Sequence, residues 1–194
     1  MSRPFDGRRR LPRPKIHDVK DMIRTERLEL PLLTRADLAA LAAGAPGPDL
    51  AATASEAWLA EIRWLAGMRL KQVTEHPDHA PWVLRAIVLA DADRLADGDR
   101  PAIGHINFHG PPDEGGVPEV GYSLLPEFRA RGYAIEAVRG LFDWARTEHG
   151  VTRFRASVAP DNARSQNLIR KLGFVQVGEQ WDEEDGLEWV FETR

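Results

Sequence analysis

The sequence of 194 residues contains no cysteine. Disulfides, thiolate metal sites and a cysteine acyl-enzyme are therefore excluded, and we expect no bound metal. No uninterrupted apolar run approaches the ~18 residues of a membrane span, so we expect no membrane partner. The N-terminal residues lack the apolar stretch of a secretory signal, and we therefore expect a cytoplasmic protein.

The composition is that of an ordinary globular domain, with 43% hydrophobic and 29% charged residues. The length fits one domain with a proper core, which we place at residues 21–194. Residues 1–20 are rich in arginine and proline, and this composition predicts a disordered tail. A basic arm that touches RNA or a ribosome is the alternative. The net charge of −4 gives no reason to expect nucleic acid as the main partner.

Apolar periodicity and turn residues predict a mixed α/β fold. Antiparallel strands come first and a strand-helix-strand crossover follows, so the sheet is not doubly wound. We expect helices at 35–43, 55–72, 132–148 and 162–172, and strands at 24–32, 82–89, 101–108, 119–125, 152–158, 174–180 and 187–192.

The most informative segment is the turn Pro126–Ala134, with the sequence PEFRARGYA. It follows a predicted strand and leads into an amphipathic helix. A glycine-containing turn at a helix start gathers free backbone N–H groups at the positive end of the helix dipole. Such a place binds phosphate, and Arg129 and Arg131 add positive charge.

A second motif, Asn162-Ala-Arg-Ser165, opens a predicted helix that ends in Gly173-Phe174. By itself Asn162 is a typical helix cap. Together with the turn, this motif resembles the GNAT superfamily of N-acetyltransferases, which transfer an acyl group from acetyl-CoA to an amine. The opening segment 25–38 is similar to the subgroup that includes ribosomal-protein N-terminal acetyltransferases, and the resemblance covers residues 22–193.

The family's pyrophosphate loop follows the pattern Arg/Gln-x-x-Gly-x-Gly/Ala, which Arg129, Gly132 and Ala134 match. The resemblance implies a single domain with a mostly antiparallel sheet of about seven strands, splayed in the middle and flanked by about four helices. It also implies acetyl-CoA as co-substrate. The residues implied to bind it are Leu124, Arg129, Ala130, Arg131, Gly132, Tyr133, Ala134, Asn162 and Ser165.

Acyl transfer also needs an oxyanion donor, a base and an acid. The resemblance implies that the backbone N–H of Leu124 faces the thioester carbonyl and that Glu119 removes the amine proton. A strand-edge glutamate bonded to a neighbouring arginine is the equal alternative for Glu119. Many family members place a tyrosine four residues after the motif serine. Here that position is Ile169, which cannot donate a proton, so Ser165 is the candidate partner of the thiolate.

The sequence gives fewer indications of where the acceptor binds. Trp58, Trp64 and Met68 lie on the helix that forms one wall of the substrate cleft in this family. Their spacing is also that of core residues, and we predict a core position. His105 and Asn107 share one face of a strand and can orient the acceptor, although a structural histidine is the favoured interpretation.

Two classes of function follow from these residues. The first is an acetyltransferase whose acceptor is a small-molecule amine or a protein N-terminus. The acidic segment 179–186 favours a cationic amine by electrostatic steering, if it is more than a solvated loop. The second is a non-catalytic acyl-CoA-binding or scaffold protein, which Ile169 keeps open. Acetyl or a longer acyl donor, and monomer or homodimer, are equally compatible with the sequence.

Overall fold

The structure, a computed structural model, describes residues 22–90, 100–183 and 186–194. The basic segment 1–20 and residues 184–185 of the acidic segment lie outside the described residues. The elements are β1 (Met22–Arg24), β2 (Leu28–Pro31), α1 (Arg35–Ala42), α2 (Glu56–Glu75), β3 (Arg85–Leu89), β4 (Ala102–Phe108), β5 (Val120–Leu124), α3 (Tyr133–His149), β6 (Arg155–Val158), α4 (Ala163–Lys171), β7 (Phe174–Asp182) and β8 (Gly186–Thr193), with short 3-10 turns at Pro77–Trp82 and Pro126–Phe128.

The strands form two antiparallel sheets, ordered β1-β2-β3-β4-β5 and β6-β8-β7. The sheets meet where β5 and β6 begin, through a parallel bridge between Glu119 and Arg155. There the Arg155 N–H donates to the Pro118 carbonyl at 3.0 Å. Beyond this contact no ladder bond joins β5 to β6 in the described part of the chain, so the two sheets diverge. This confirms the mixed, mostly antiparallel and centrally splayed fold.

The prediction of one strand over 24–32 is wrong, because the chain turns back on itself there. β1 and β2 pair antiparallel, with Ile23 opposite Leu30. The Thr25 N–H donates to the Leu28 carbonyl at 2.9 Å, and the Leu28 N–H donates to Thr25 Oγ1 at 3.1 Å. A threonine hydroxyl that bonds nearby backbone groups stabilises such a tight turn. The structure therefore has eight strands among its described residues.

β3 and β4 are buried along their whole length because helices cover both faces of the larger sheet. On one face Phe108 stacks on Phe142 of α3, with ring centroids 6.3 Å apart. On the other face Trp58 of α2 donates from Nε1 to the Gly104 carbonyl at 2.9 Å. Strands covered on both faces are mostly apolar, and the exceptions here are the buried side chains of Arg85, His105 and Asn107.

The register of β4 and β5 gives each face of β5 its own side chains. Phe108 pairs with Val120, so Val120 and, by strand alternation, Tyr122 face α3. His105 pairs with Ser123, and this pair lies on the opposite face, towards α2. Strand β5 therefore has an α3/α4 side and an α2 side. Side chains of its last residues point alternately to one side and to the other.

The core prediction for the apolar residues of α2 is correct for Trp58 and wrong for two others. Trp58 is fully buried, whereas Trp64 is 60% exposed and Met68 is 39% exposed. The buried face of the helix carries Trp58, Ile62 and Ala66, and Trp64 and Met68 lie outside that stripe. None of the described helices is long and apolar enough to cross a membrane.

Candidate active site

A cavity of about 540 Å³ lies where the end of β5, the turn before α3 and the start of α4 come together. The turn and the Asn-x-x-Ser motif, which are separate in sequence, both line it. Of the predicted cofactor residues, Arg131 does not line the cavity, and its guanidinium lies over the ring of Phe128, 5.8 Å from the centroid. The others do: Leu124, Arg129, Ala130, Gly132, Tyr133, Ala134, Asn162 and Ser165.

The turn has the backbone geometry of an anion-binding site. Gly132, with φ of 85°, precedes α3, and among the described residues no side chain caps the helix N-terminus. The first-turn N–H groups of α3 therefore have no side-chain acceptor, and residues 133–135 line the cavity. Ala130 has φ of 60° and is the one non-glycine residue with positive φ in the described part of the chain. A left-handed alanine costs about 1–2 kcal/mol, so the surrounding contacts must hold the turn in this form.

The β1–β2 turn supplies part of that support from outside the cavity. Arg27 donates to the Arg131 carbonyl at 3.1 Å, and its guanidinium lies 4.7 Å from the centroid of the Tyr133 ring. Glu136 in α3 accepts from the Arg27 side chain at 2.7 Å and from Thr25 Oγ1 at 2.6 Å. Burial raises the pKa of Glu136, but these hydrogen bonds outweigh it and hold the pKa below its ordinary value.

Leu124 sits at the mouth of the gap between the two sheets. The Leu125 N–H donates to the Ile103 carbonyl on β4 at 2.9 Å. Backbone groups alternate in direction along a strand, so the N–H and C=O of Leu124 point away from β4, into the gap. The Leu124 carbonyl there accepts a bond of 2.7 Å from Arg129 Nε. Its N–H has the orientation that an oxyanion donor needs.

The α3/α4 side carries a pair of hydroxyl groups: that of Ser165, which the sequence predicted, and that of Tyr122, which sequence reasoning missed. Tyr122 Oη lies 2.9 Å from Ser165 Oγ, and both residues line the cavity. Burial raises the pKa of Tyr122 above its ordinary value, while the bond to Ser165 acts weakly in the other direction. Tyr122 is therefore a neutral hydroxyl and can donate. Strand alternation with Leu124 was the available signal, because it places Tyr122 on the face that α4 covers.

Asn162 and Ile169 behave as ordinary parts of α4. The Asn162 side chain accepts from the Ser165 N–H at 3.1 Å, so it caps the helix as well as lining the cavity. Ile169 is buried in the core. The position where many family members carry a tyrosine therefore serves packing in this chain.

Glu119 lies at the foot of β5 and does not line the cavity. It precedes Leu124 by five residues, about 16 Å along an extended strand. Its carboxylate is half-buried, 3.9 Å from His109 Nδ1. Arg155 uses its side chain on Glu192 and Asp113 and not on Glu119. A proton from an amine beside Leu124 can reach Glu119 only through water or other side chains, and its role as base stays a prediction.

Two buried polar residues lie on the α2 side. Asn107 donates from Nδ2 to the Phe108 carbonyl at 3.1 Å, which is a structural contact. Burial lowers the pKa of His105 to about 4, so the imidazole is neutral. Its Nδ1 is buried and has no hydrogen-bond partner among the described residues. The favoured interpretation of His105 as a satisfied structural histidine is therefore incomplete.

The remaining candidates lie apart from the cavity. Near the surface, His76, Asp78 and His79 each offer a ligand atom within 4.8 Å of the others, and Gln72 Nε2 lies 3.1 Å from His79 Nδ1. The acidic segment falls on the β7–β8 hairpin, and none of its described residues lines the cavity.

Comparison with known proteins agrees with this geometry. The sequence matches the model of the acetyltransferase (GNAT) domain over residues 27–175. It is 38% identical over 73 residues to YjdG of Bacillus subtilis, named an uncharacterised N-acetyltransferase. That stretch is 38% of this chain and 44% of YjdG, so the chain spans less than half the length of this relative.

Solved structures share the fold at low sequence identity. The ribosomal-protein-S5-alanine acetyltransferase of Vibrio fischeri superposes with a TM-score of 0.56 at 19% identity, covering 89% of this chain and 95% of that one. RimL, a ribosomal L7/L12 α-N-protein acetyltransferase solved with coenzyme A, gives 0.57 at 14% identity, covering 88% and 96%.

Proposed function

This chain belongs to the acetyltransferase (GNAT) family, and on that premise we propose that it transfers an acetyl group from acetyl-CoA to a primary amine. The observation that carries the proposal is the cavity itself. It joins an uncapped helix N-terminus to a backbone N–H directed into the gap between the sheets. The coenzyme A bound to the RimL neighbour supports the choice of co-substrate.

Acetyl-CoA would place its pyrophosphate on the turn 129–134 and its pantetheine arm between the diverging strands. The first-turn N–H groups of α3 are the donors for the phosphate oxygens, and Arg129, which lines the cavity, adds positive charge. Asn162 lines the same cavity from α4 and is the candidate contact for the pantetheine amides. The thioester then lies near Leu124.

The reaction needs no covalent enzyme intermediate. The amine nitrogen attacks the thioester carbon, and the Leu124 N–H stabilises the oxyanion. The C–S bond breaks, and the sulfur takes a proton from Ser165, which recovers one from Tyr122, and solvent then restores the proton of Tyr122. The nitrogen loses its proton towards Glu119 through a relay. General acid–base groups of this kind typically contribute about 10²–10⁴-fold each.

The acceptor is a small-molecule amine or a protein N-terminus. The fold neighbours named for ribosomal proteins favour a protein terminus, whereas an acidic hairpin favours a small cation. We also propose a cytoplasmic location, since both kinds of acceptor and acetyl-CoA are available there.

The test measures thiol release from acetyl-CoA with two pools of acceptors. One pool contains polyamines, aminoglycosides and amino acids, and the other contains short peptides with free N-termini. We expect turnover with one pool. Turnover with small amines alone identifies a metabolite- or drug-modifying enzyme, and turnover with peptides alone identifies a protein N-terminal acetyltransferase. Binding of acetyl-CoA without turnover in either pool contradicts the proposal and supports the non-catalytic binder.

A further inference from the structure

A carboxylate lies close to the end of the cavity on the α2 side of β5. Ser123, half-buried and part of the cavity lining, donates from Oγ to Glu61 Oε1 at 2.5 Å. Ser123 directly precedes Leu124, so Glu61 lies near the backbone N–H that points into the gap. The anchor of Trp58 on the Gly104 carbonyl fixes α2 one turn before Glu61. The position of this carboxylate is therefore set by the fold.

Within the described part of the chain, Glu61 has no basic partner, and its hydrogen bond is the one from Ser123. The buried cation of the same helix, Arg69, donates to Gln72 Oε1 at 2.7 Å instead. His105 on the sheet interacts electrostatically with Glu61, and burial keeps the imidazole neutral although Glu61 favours its charged form. The described residues therefore place no positive charge against Glu61. A partly desolvated carboxylate of this kind is stabilised by a cationic ligand.

Two exposed apolar side chains continue the same edge of α2. Trp64 and Met68 follow Glu61 by three and seven residues and lie within about 60° of it around the helix axis. They are 60% and 39% exposed. A tryptophan face attracts an ammonium group, and methionine packs against irregular carbon chains. The strip Glu61–Trp64–Met68 thus matches a cation attached to an alkyl or peptide chain.

We propose that Glu61 binds the ammonium group of the acceptor, with Ser123 holding its carboxylate in place, so the acceptor enters from the α2 side as a cation. This inference rests on the proposed acetyl transfer and defines its substrate class as primary amines that are charged when they bind. Neutral isosteres with a hydroxyl in place of the amine lack the charge that Glu61 recognises and are excluded from the site.

The protons of the acetyl transfer balance when Glu61 binds the ammonium group. The bound R–NH₃⁺ gives one proton to solvent through Glu61 and becomes a nucleophile. The new C–N bond forms, the C–S bond breaks, and the nitrogen loses a second proton through the relay. The sulfur takes one proton from the Ser165–Tyr122 pair, which solvent restores. The products are R–NH–COCH₃, HS–CoA and one released proton.

The experiment measures amine binding directly, by calorimetry on the full chain saturated with CoA. The probes are spermidine and alanyl-alanine amide. Glu61→Gln is expected to weaken the binding of the preferred probe at least tenfold while acetyl-CoA affinity stays within twofold. Glu75→Gln makes the same charge change at an exposed position of α2 and is expected to change neither. Ser123→Ala keeps the charge but releases the carboxylate, and an intermediate loss is expected.

Two results overturn the inference: equal amine affinity of Glu61→Gln and wild type, and failure of wild type to bind either probe. If Glu61→Gln does not fold, Glu61→Asp and Ser123→Ala decide, because wild-type affinity in both also overturns it. The proposed acetyl transfer can fail independently of this inference. Amine binding that depends on Glu61, in a protein that turns over no amine, supports this inference and contradicts acetyl transfer.

Discussion

The two sides of strand β5 are built in different ways. On the α3/α4 side, the turn before α3 and the cap of α4 are contiguous motifs, and their main functional groups are backbone N–H groups. On the α2 side, Glu61, Ser123 and His105 come from three elements and act through side chains. The first side is suited to a phosphate-bearing ligand, and the second to a ligand that is recognised by side-chain charge.

This difference explains why the functional residues on the α3/α4 side can be predicted from sequence and those on the α2 side cannot. A turn that precedes a helix keeps its geometry wherever the local sequence is kept. A carboxylate that meets a serine 62 positions away depends on how a helix packs on a sheet. If the two sides are separate in this way, a substitution on one side should leave ligand binding on the other side unchanged.

The largest effect is expected from Glu119→Gln. Loss of this carboxylate removes the final proton acceptor, and turnover is expected to fall about 10²-fold, the lower end for general bases. Steady-state kinetics should show this loss in kcat with acetyl-CoA affinity unchanged. Glu114→Gln, the same change in an exposed loop, is the control. An unchanged kcat removes Glu119 from the mechanism and leaves Glu61 as the carboxylate that can accept a proton from the amine.

Gly132→Val tests the cofactor side. Valine is strained at φ of 85°, and its Cβ would lie 3.2 Å from Arg27 Nη2, so the backbone of the turn is strained and the Arg27 side chain must move aside. Acetyl-CoA binding is expected to weaken about tenfold or more, which is about 1.4 kcal/mol. Gly150→Val imposes similar strain at the other end of α3, with no atom within 4 Å, and should lower stability without changing cofactor affinity. Equal cofactor affinity in both variants contradicts the placement of the pyrophosphate.

Tyr122→Phe is expected to lower kcat about tenfold, less than the loss of a general base, because a thiolate is a good leaving group. The amine KM should not change, since Tyr122 faces away from α2. Ser165→Ala should give a similar loss, and the double variant should be no slower than either single one, because the hydroxyls act as a pair. Additive losses in kcat, or no loss in Tyr122→Phe, contradict the pair.

Glu136→Gln is expected to have the smallest effect, a small loss of thermal stability, because Glu136 supports the turn before α3 through Arg27. The pKa of Glu136 is lowered in the folded protein, so its stabilising contribution is present above the ordinary value of 4.5 and is lost as pH falls below it. At neutral pH we expect Tm to drop by about 2–4 °C in the variant. Thermal scans should show this gap closing as the solution is made acidic. If the difference in Tm between wild type and variant stays constant across that pH range, the loss of stability comes from packing and not from charge.

Much of the fold and of the cofactor side followed from the sequence. Gly132 and Asn162 sit in local patterns whose geometry depends on near neighbours, and the structure brings both to one cavity. Tyr122 and Glu61 were missed because each meets its partner only through packing between elements. The exposed Trp64 was misassigned to the core because helical spacing shows which residues share a face and does not show which face is covered.

The most direct test of the account follows the acetyl group itself. Acetyl-CoA with an isotopically labelled acetyl group is incubated with the protein and each acceptor pool, and the amines are analysed by mass spectrometry. The account predicts a labelled amide of a primary amine, formed in equal amount to the released CoA thiol. Release of thiol without a labelled amide, or intact acetyl-CoA bound to a protein that acetylates no amine, contradicts it.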